Sequence, residues 1–362
     1  MWHLKSLLLF LWFFAGLGFL HFEKNSNYLE NSNIILQNWS TNLYSPSHSE
    51  YENAKWMLKR KSLFYNNLIE ENHLLKGMVI NFSAKRILDQ CDSLLFSSLR
   101  YSALKSLHLD SAAENAWEGI YSSSENGQWW RHPYCKDRAI SKDMLLGIII
   151  ALDNQPEHSE VAIADLLERI ERNNGFFANG PIFLSYLTPN IAVHLKRLAK
   201  QANIPYSDMP NVVRRNYSTS EFSHYFIDGG YRSHLISLGT WVSLKEPSPK
   251  NTFQSILTTW NTHKLVSINA SLFNRYLRLY SAGALNRQTR YQLMTELLNM
   301  RSQFPDDRLP MDCDRKADYL WQRNFWESYD RNKQCSKTFN GIDFLWMAAL
   351  LTDDQPGQMH SH

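Results

Sequence analysis

Apolar residues recur at three- and four-residue spacing along most of the chain, which is the pattern of amphipathic α-helices. Clusters of Gly, Pro, Asn and Asp separate these segments, and strand-like alternation never extends over more than a few residues. We therefore predict an all-α protein. The predicted helices are residues 52–76, 91–107, 111–120, 141–153, 159–173, 190–202, 231–245, 249–264, 270–282, 287–302, 316–328 and 341–352.

The body of the chain, residues 51–352, has no Pro- or Gly-rich break near its middle, which predicts a single domain. About a dozen helices in antiparallel pairs can form a solenoid, a bundle assembly or a closed (α/α)6 barrel, also called a toroid. The length of chain per helical pair favours the toroid. Residues 353–362 are expected to form a flexible tail.

The N-terminus has the features of an export signal. In residues 1–22, Lys5 precedes an uncharged apolar run from Leu7 to Phe22, close to the lower limit of ~17 residues for spanning a bilayer. A cleaved signal and an uncleaved anchor are both open, and large residues at the end of the run favour the anchor. Residues 23–50, rich in Asn and Ser, predict a linker. The body is expected in the periplasm or outside the cell, anchored or secreted.

Four cysteines, an even number, suit a chain that leaves the reducing cytosol. Three connectivities are open, and the short loops they close favour Cys91 with Cys135 and Cys313 with Cys335. None of them has the Cys-x-x-Cys spacing of a zinc or thioredoxin-like site. Metal-binding, phosphate-binding and nucleophile-elbow motifs are also missing, so we predict no metal site and no cofactor.

Charge and aromatic content narrow the class of partner. The net charge of +3 arises from 38 basic and 35 acidic residues without a long basic run, which gives no case for nucleic acid binding. The chain contains 12 Trp, 17 Tyr and 19 Phe residues. So many aromatic rings suit a core between long helices, and they also suit surfaces that stack on sugars.

Three acidic residues share one position in the pattern: Asp92, Asp143 and Asp343 each stand at a predicted helix start, directly before an apolar run. A carboxylate in the first turn complements the positive end of the helix dipole. Ordinary capping explains this placement. The alternative is that helices of a ring present these carboxylates into one shared mouth.

Residues 126–133, Asn-Gly-Gln-Trp-Trp-Arg-His-Pro, followed by the apolar segment 141–147, resemble the loop and inner helix of (α/α)6 toroid proteins. Many glycoside hydrolases and polysaccharide lyases have this architecture. Segments 231–235, 319–323 and 340–346 are similar to later helices of such a ring. The resemblance covers about residues 50–352 and concerns architecture, so it implies a fold more directly than an activity.

In such a ring the mouth is lined by helix starts and the loops before them. Glycoside hydrolysis needs one carboxylic acid to protonate the leaving oxygen and a second carboxylate to attack or to activate water. Asp143 is the first candidate, with Asp92, Asp343 or Asp137 as its partner. The candidate substrate-binding residues are Trp129, Trp130, Arg131, His132, His234 and Arg323.

These residues also have structural interpretations, namely core packing for the Trp pair, hydrogen bonding for each His and ion pairing for each Arg. A lyase would instead use Tyr231 or His234 as the base, with Arg131 or Arg323 neutralising a uronate carboxylate.

The leading hypothesis is an exported or membrane-anchored carbohydrate-active enzyme that hydrolyses glycosidic bonds of a surface or envelope polysaccharide. The competing hypothesis is a non-catalytic helical binding or scaffold protein at the cell envelope or outside the cell. The first expects a polysaccharide or oligosaccharide partner, and the second expects either a glycan or a protein. Both place the N-terminal segment in contact with the membrane. Carboxylates facing each other across an aromatic-lined cleft would favour the enzyme.

Overall fold

Helices account for most of the described chain, in agreement with the predicted all-α class. The computed structural model describes residues 28–40, 43–80, 82–83, 91, 93–179, 185–218, 231–245, 252–268, 270–311, 314 and 337–353. Residues 28–40 form α1. The helices that follow are α2 His48–Asn72, α3 Leu94–Ser106, α4 Asp110–Tyr121, α5 Lys142–Leu152, α6 Ser159–Arg172, α7 Pro189–Gln201, α8 Asn211–Ser218, α9 Tyr231–Leu244, α10 Thr252–Ile268, α11 Leu272–Ser281, α12 Arg287–Asn299 and α13 Ile342–Thr352.

The predicted helices within the described residues are present, with ends that agree to within about one turn. The predicted helix 316–328 and the apolar segment 1–22 lie outside the described residues. Helix α8 was not predicted, because its eight residues are too few to show a clear apolar period. None of the described helices combines the length and the apolar character needed to cross a bilayer.

Helix α1 corrects the prediction that residues 23–50 form a linker without helical structure. It packs against later helices of the body. Ser32 is fully buried, and its Oγ lies 3.1 Å from Nδ1 of His263 in α10. Arg275 of α11 places its guanidinium 5.4 Å from the ring of Trp39. Because a small polar residue occupies its packed face, this helix lacks the apolar periodicity from which helices are predicted.

In chain order the helices alternate between two sets. In the first set α3 packs on α5, α5 on α7, α7 on α9 and α9 on α11. Phe273 of α11 contacts Trp346 of α13 with 5.1 Å between ring centroids, and α13 packs on α3. The helices of the second set, α2, α4, α6, α8, α10 and α12, each pack on members of the first.

Burial follows the sequence pattern of each set. Every residue from Asp143 to Leu152 in α5 is buried, and so is every residue of α13. Both helices are apolar on all sides, which is typical of helices enclosed by others. Gly147 lets α5 approach α3 closely, since a Cβ there would lie 2.9 Å from Cδ1 of Leu95. Helix α6, in the second set, buries only one stripe, as expected for an outer surface.

Within the described residues, six two-residue strands form three antiparallel pairs between the helices. They are β1 Leu74–Leu75 with β2 Met78–Val79, β3 Phe82–Ser83 with β6 Lys337–Thr338, and β4 Ser124–Glu125 with β5 Gln128–Trp129. Strand β3 lies ahead of α3 in the chain, and β6 lies just ahead of α13. Their pairing holds together the segments that lead into two neighbouring helices.

Candidate functional site

The starts of α13, α3 and α5 lie at one end of the described body, which we call the mouth. The β3–β6 pair links the segments that lead into α3 and α13. The predicted disulfide between Cys91 and Cys135 is present, with a Cα–Cα distance of 5.7 Å, and it links the segments that lead into α3 and α5. The predicted pair Cys313 and Cys335 lies outside the described residues.

Two of the predicted catalytic carboxylates lie at the mouth. Asp143 is in the first turn of α5 and Asp343 in the first turn of α13, and both of these helices pack on α3. Their residues are 4% and 8% exposed, and both make contacts within the protein. Burial lowers the pKa of Lys142, the residue before Asp143. The mouth therefore combines two shielded carboxyl groups with an ammonium group that is partly desolvated.

Several predicted site residues are not described at the side-chain level. Asp92 and Arg323 lie outside the described residues. His234 lies in the first turn of α9, but its side chain is also outside them, as is that of Tyr231. Their assigned roles as partner carboxylate, substrate ligands and lyase base stay predictions.

The two adjacent tryptophans of the loop before α5 have different environments. Trp129 is fully buried, so core packing describes it and its ring faces no open cleft. Trp130 is half-buried, and its backbone forms a β-bridge with Ala139 across the loop. Of the predicted stacking pair, Trp130 is the ring that reaches the surface.

His132 and Arg131 hold this loop in shape. His132 is buried, and its Nδ1 accepts a hydrogen bond from the backbone N–H of Tyr134 at 3.1 Å. Its Nε2 lies 3.0 Å from the carbonyl oxygen of Leu75, which assigns the proton of the neutral ring to Nε2. Burial lowers the pKa of His132, and the hydrogen bond to Leu75 partly opposes this. Arg131 donates through Nε to the carbonyl oxygen of Ala139 at 2.7 Å.

The tip of the β4–β5 hairpin fixes the loop against α6. Gly127 has a φ of +73°, in the region that favours glycine, and a Cβ at this position would lie 2.0 Å from the carbonyl oxygen of Asp165. A side chain of any size is therefore excluded. This contact sets the position of Trp130 relative to the last turn of α6.

A cleft of about 530 Å³ opens between this loop, the end of α6 and the chain that leads to α7. We call it the rim cleft, because the loop that leads into α5 forms one of its walls. Asp137, a predicted carboxylate, is exposed within it. The rim cleft is lined by Glu125, Asn126, Gln128, Trp130, Lys136, Asp137, Arg138, Ala139, Arg169, Arg172 and Asn179.

The rim cleft carries four cationic and two anionic side chains. Lys136 places its Nζ 4.5 Å from the centroid of the Trp130 ring and 3.7 Å from Oε2 of Glu125. Arg169 reaches Oδ1 of Asn179 at 3.4 Å, while its buried Nε has no hydrogen-bond partner among the described residues. Burial lowers the pKa of Arg169, and the charge of Arg172 lowers it further.

Lys136, Arg138, Arg169 and Arg172 were not among the predicted site residues. A charged run, Lys136-Asp137-Arg138, directly follows Cys135 and was the one local signal for the first two. In the sequence, Arg169 and Arg172 have the ordinary position of basic residues in the last turn of a helix, where they complement the helix dipole. The contact of the hairpin tip at Gly127 with α6 brings the loop that carries Lys136 and Arg138 close to Arg169 and Arg172.

Among the described residues, no three His, Cys, Asp or Glu side chains are grouped so that they could hold a metal ion. The chain matches no protein-family model and no curated protein. Its function is therefore inferred from the geometry of the mouth and the rim cleft.

Proposed function

We propose that the chain forms an (α/α)6 toroid, with α3, α5, α7, α9, α11 and α13 as the inner helices. The alternation of the two helix sets in chain order supports this architecture, as do the successive contacts within the first set. Phe273 against Trp346 supplies the contact between α11 and α13 that such a ring needs in order to close. In a toroid the inner helices run parallel, so their first turns and preceding loops would share one face.

We further propose that the protein is an exported or membrane-anchored enzyme that hydrolyses glycosidic bonds of a surface or envelope polysaccharide. The observation that carries this proposal is the placement of Asp143 and Asp343 in the first turns of two helices that flank α3. One carboxyl group would protonate the leaving oxygen, and the other would attack the sugar or activate water.

The environment of the pair suits these roles. Both residues are shielded from solvent, where electrostatic interactions with a reacting sugar are stronger than in water. Trp130 and the rim cleft lie beside the start of α5 and would bind the part of the chain that extends beyond the reacting bond.

The proposed location rests on the N-terminal segment and on the disulfide. The basic and apolar N-terminal segment would carry the body across or to a membrane. The disulfide between Cys91 and Cys135 is compatible with an oxidising compartment outside the cytosol.

A non-catalytic glycan-binding protein is the second candidate. It is favoured by the contacts that Asp143 and Asp343 already make within the protein, and by the use of Arg131 and His132 to hold a loop. The same mouth would then bind a polysaccharide without cleaving it.

Release of new reducing ends from a panel of envelope and extracellular polysaccharides tests the proposal. The full-length chain is compared with Asp143→Asn, which keeps the size and hydrogen bonding of the side chain but removes its charge. Asp110→Asn is the matched control, because Asp110 occupies the first turn of the outer helix α4. Turnover by the wild type and by Asp110→Asn, with none by Asp143→Asn, supports the enzyme. Glycan binding without turnover by the folded wild type supports the second candidate.

A further inference from the structure

We propose that the rim cleft is a subsite for an acidic sugar unit, whose anionic group would be bound by Arg138 and Arg169. This inference rests on the proposed function, because it names the class of polysaccharide that the mouth would receive. The shared ligand chemistry is a carboxylate or sulfate group on a sugar ring.

Uncompensated positive charge is the first argument. Within the described part of the chain, neither Arg138 nor Arg169 has a carboxylate at ion-pair distance, whereas Lys136 approaches Glu125 at 3.7 Å and Arg172 approaches Glu168 at 3.5 Å. Arg169 is also only half exposed and has an unused buried Nε. Because a guanidinium binds two oxygens of one anionic group through two parallel N–H groups, a sugar carboxylate or sulfate would complement this pair.

The second argument is the aromatic ring beside these cations. Trp130 is half-buried in the wall of the rim cleft, and the Nζ of Lys136 lies 4.5 Å from its centroid. This ammonium lies over the ring. The C–H face of a pyranose would pack against the part of the indole that the ammonium leaves open, and the ammonium would pair with an acid group on the same sugar. A neutral sugar would use the ring but not the cations.

The other polar side chains of the rim cleft suit the hydroxyl groups of a sugar. Glu125, Asp137, Asn126 and Asn179 also line the rim cleft. Their carboxylate and amide oxygens accept hydrogen bonds from hydroxyl groups, which a sugar presents around its ring. The volume of about 530 Å³ falls within the ~300–1,000 Å³ range of ligand sites.

The place of the rim cleft in the fold is the fourth argument. Asp137 and Arg138 stand in the loop that leads directly into α5, where Asp143 occupies the first turn. The bridge between Trp130 and Ala139 closes that loop beside the cleft. A polysaccharide bound at Asp143 would therefore have its next units at the rim cleft.

Calorimetric titration of the full-length chain tests the subsite. The probes are oligogalacturonate, which carries carboxylates, sulfated dextran, neutral dextran and a single-stranded oligonucleotide. The variant is Arg138→Gln/Arg169→Gln. The control is Arg287→Gln, which removes one guanidinium charge from an exposed position at the start of α12 and so matches each single change of the double variant. A circular dichroism melt checks folding, and the single variant Arg138→Gln replaces the double variant if the latter is unfolded.

We expect the wild type and Arg287→Gln to bind one of the two acidic glycans, and the double variant to bind it at least about tenfold more weakly with a smaller salt dependence. Preference for oligogalacturonate or for sulfated dextran identifies the anionic group. Unchanged affinity in the double variant would overturn the subsite, and so would equally tight binding of the oligonucleotide. Binding or cleavage of neutral dextran alone would overturn the subsite but leave the proposed function standing. Binding of no glycan would overturn both.

Discussion

Arg197 donates a hydrogen bond to the carboxylate of Asp153 at 2.5 Å, and both side chains are almost fully buried. Asp153 ends α5 and Arg197 belongs to α7, so the pair joins these two helices near the end of α5 that lies away from the mouth. Two further polar atoms of the pair, Oδ1 of Asp153 and Nε of Arg197, have no hydrogen-bond partner among the described residues. The ammonium of Lys245 also acts electrostatically on both side chains of the pair.

Replacement of Arg197 by Met should lower the free energy of unfolding by about 3 kcal/mol, because the buried carboxylate of Asp153 would lose its hydrogen-bonded counter-charge and Lys245 would compensate it only in part. The double variant Asp153→Leu/Arg197→Met should regain much of this loss. Urea titration followed by circular dichroism measures both. For comparison, Asp110→Asn breaks the exposed pair with Lys105 and should change stability by less than about 1 kcal/mol. Equal effects at the two sites would refute the assigned role of the buried pair.

Removal of the Cys91–Cys135 disulfide should destabilise the protein by about 4 kcal/mol, since the bond closes a loop of 44 residues in the unfolded chain. The double variant Cys91→Ser/Cys135→Ser is compared with the wild type in denaturant without reductant. A loss of less than about 1 kcal/mol would indicate that the segments leading into α3 and α5 are held by other contacts.

Substitution of Gly127 by Ala should be more harmful than the same change at Gly283. Both residues have positive φ, +73° and +63°, so both variants carry a left-handed alanine that costs about 1–2 kcal/mol. A Cβ on Gly127 would clash with the carbonyl oxygen of Asp165, whereas a Cβ on Gly283 has no neighbour within 4 Å. Gly127→Ala should therefore lose a further ~1–3 kcal/mol. Thermal unfolding of the two variants measures the difference, and equal losses would contradict the contact.

Stability should fall in mild acid because of His263. Burial, together with the charge of Arg278, lowers its pKa from the ordinary 6.5 to about 4. Between these values the unfolded chain binds a proton that the folded chain does not, so the free energy of unfolding falls as pH decreases from about 6.5 to about 4. The loss should reach on the order of 3 kcal/mol. His263→Gln should flatten this part of the pH profile, and an unchanged profile would refute the assignment.

Much of the helical structure could be predicted from the sequence, most clearly where helices such as α5 and α13 are unusually apolar. Segments such as 142–152 and 342–352 can be stable in water only when they are enclosed, and their length identifies them as helices. Helix α1 was not predicted because its packed face carries Ser32, a small polar residue that interrupts the apolar periodicity. Local propensity is overridden there by contact with α10.

The candidate site was predicted less completely than the fold. The position of Asp143 at a helix start follows from local sequence, and so does the disulfide that closes a short stretch of chain. The rim cleft does not, because Arg138 and Arg169 are brought together by the packing of a hairpin tip on α6. The burial of Trp129 beside the half-exposed Trp130 depends on the same packing.

Asp143 and Asp343 are proposed to act as one catalytic pair at the mouth. The most direct test of this proposal is the release of reducing ends by the wild type, Asp143→Asn, Asp343→Asn and the variant that carries both changes. Residues that act as a unit have strongly non-additive effects, so the double variant should be no slower than the slower single variant. Losses that multiply in the double variant, or turnover that survives both substitutions, would contradict the pair.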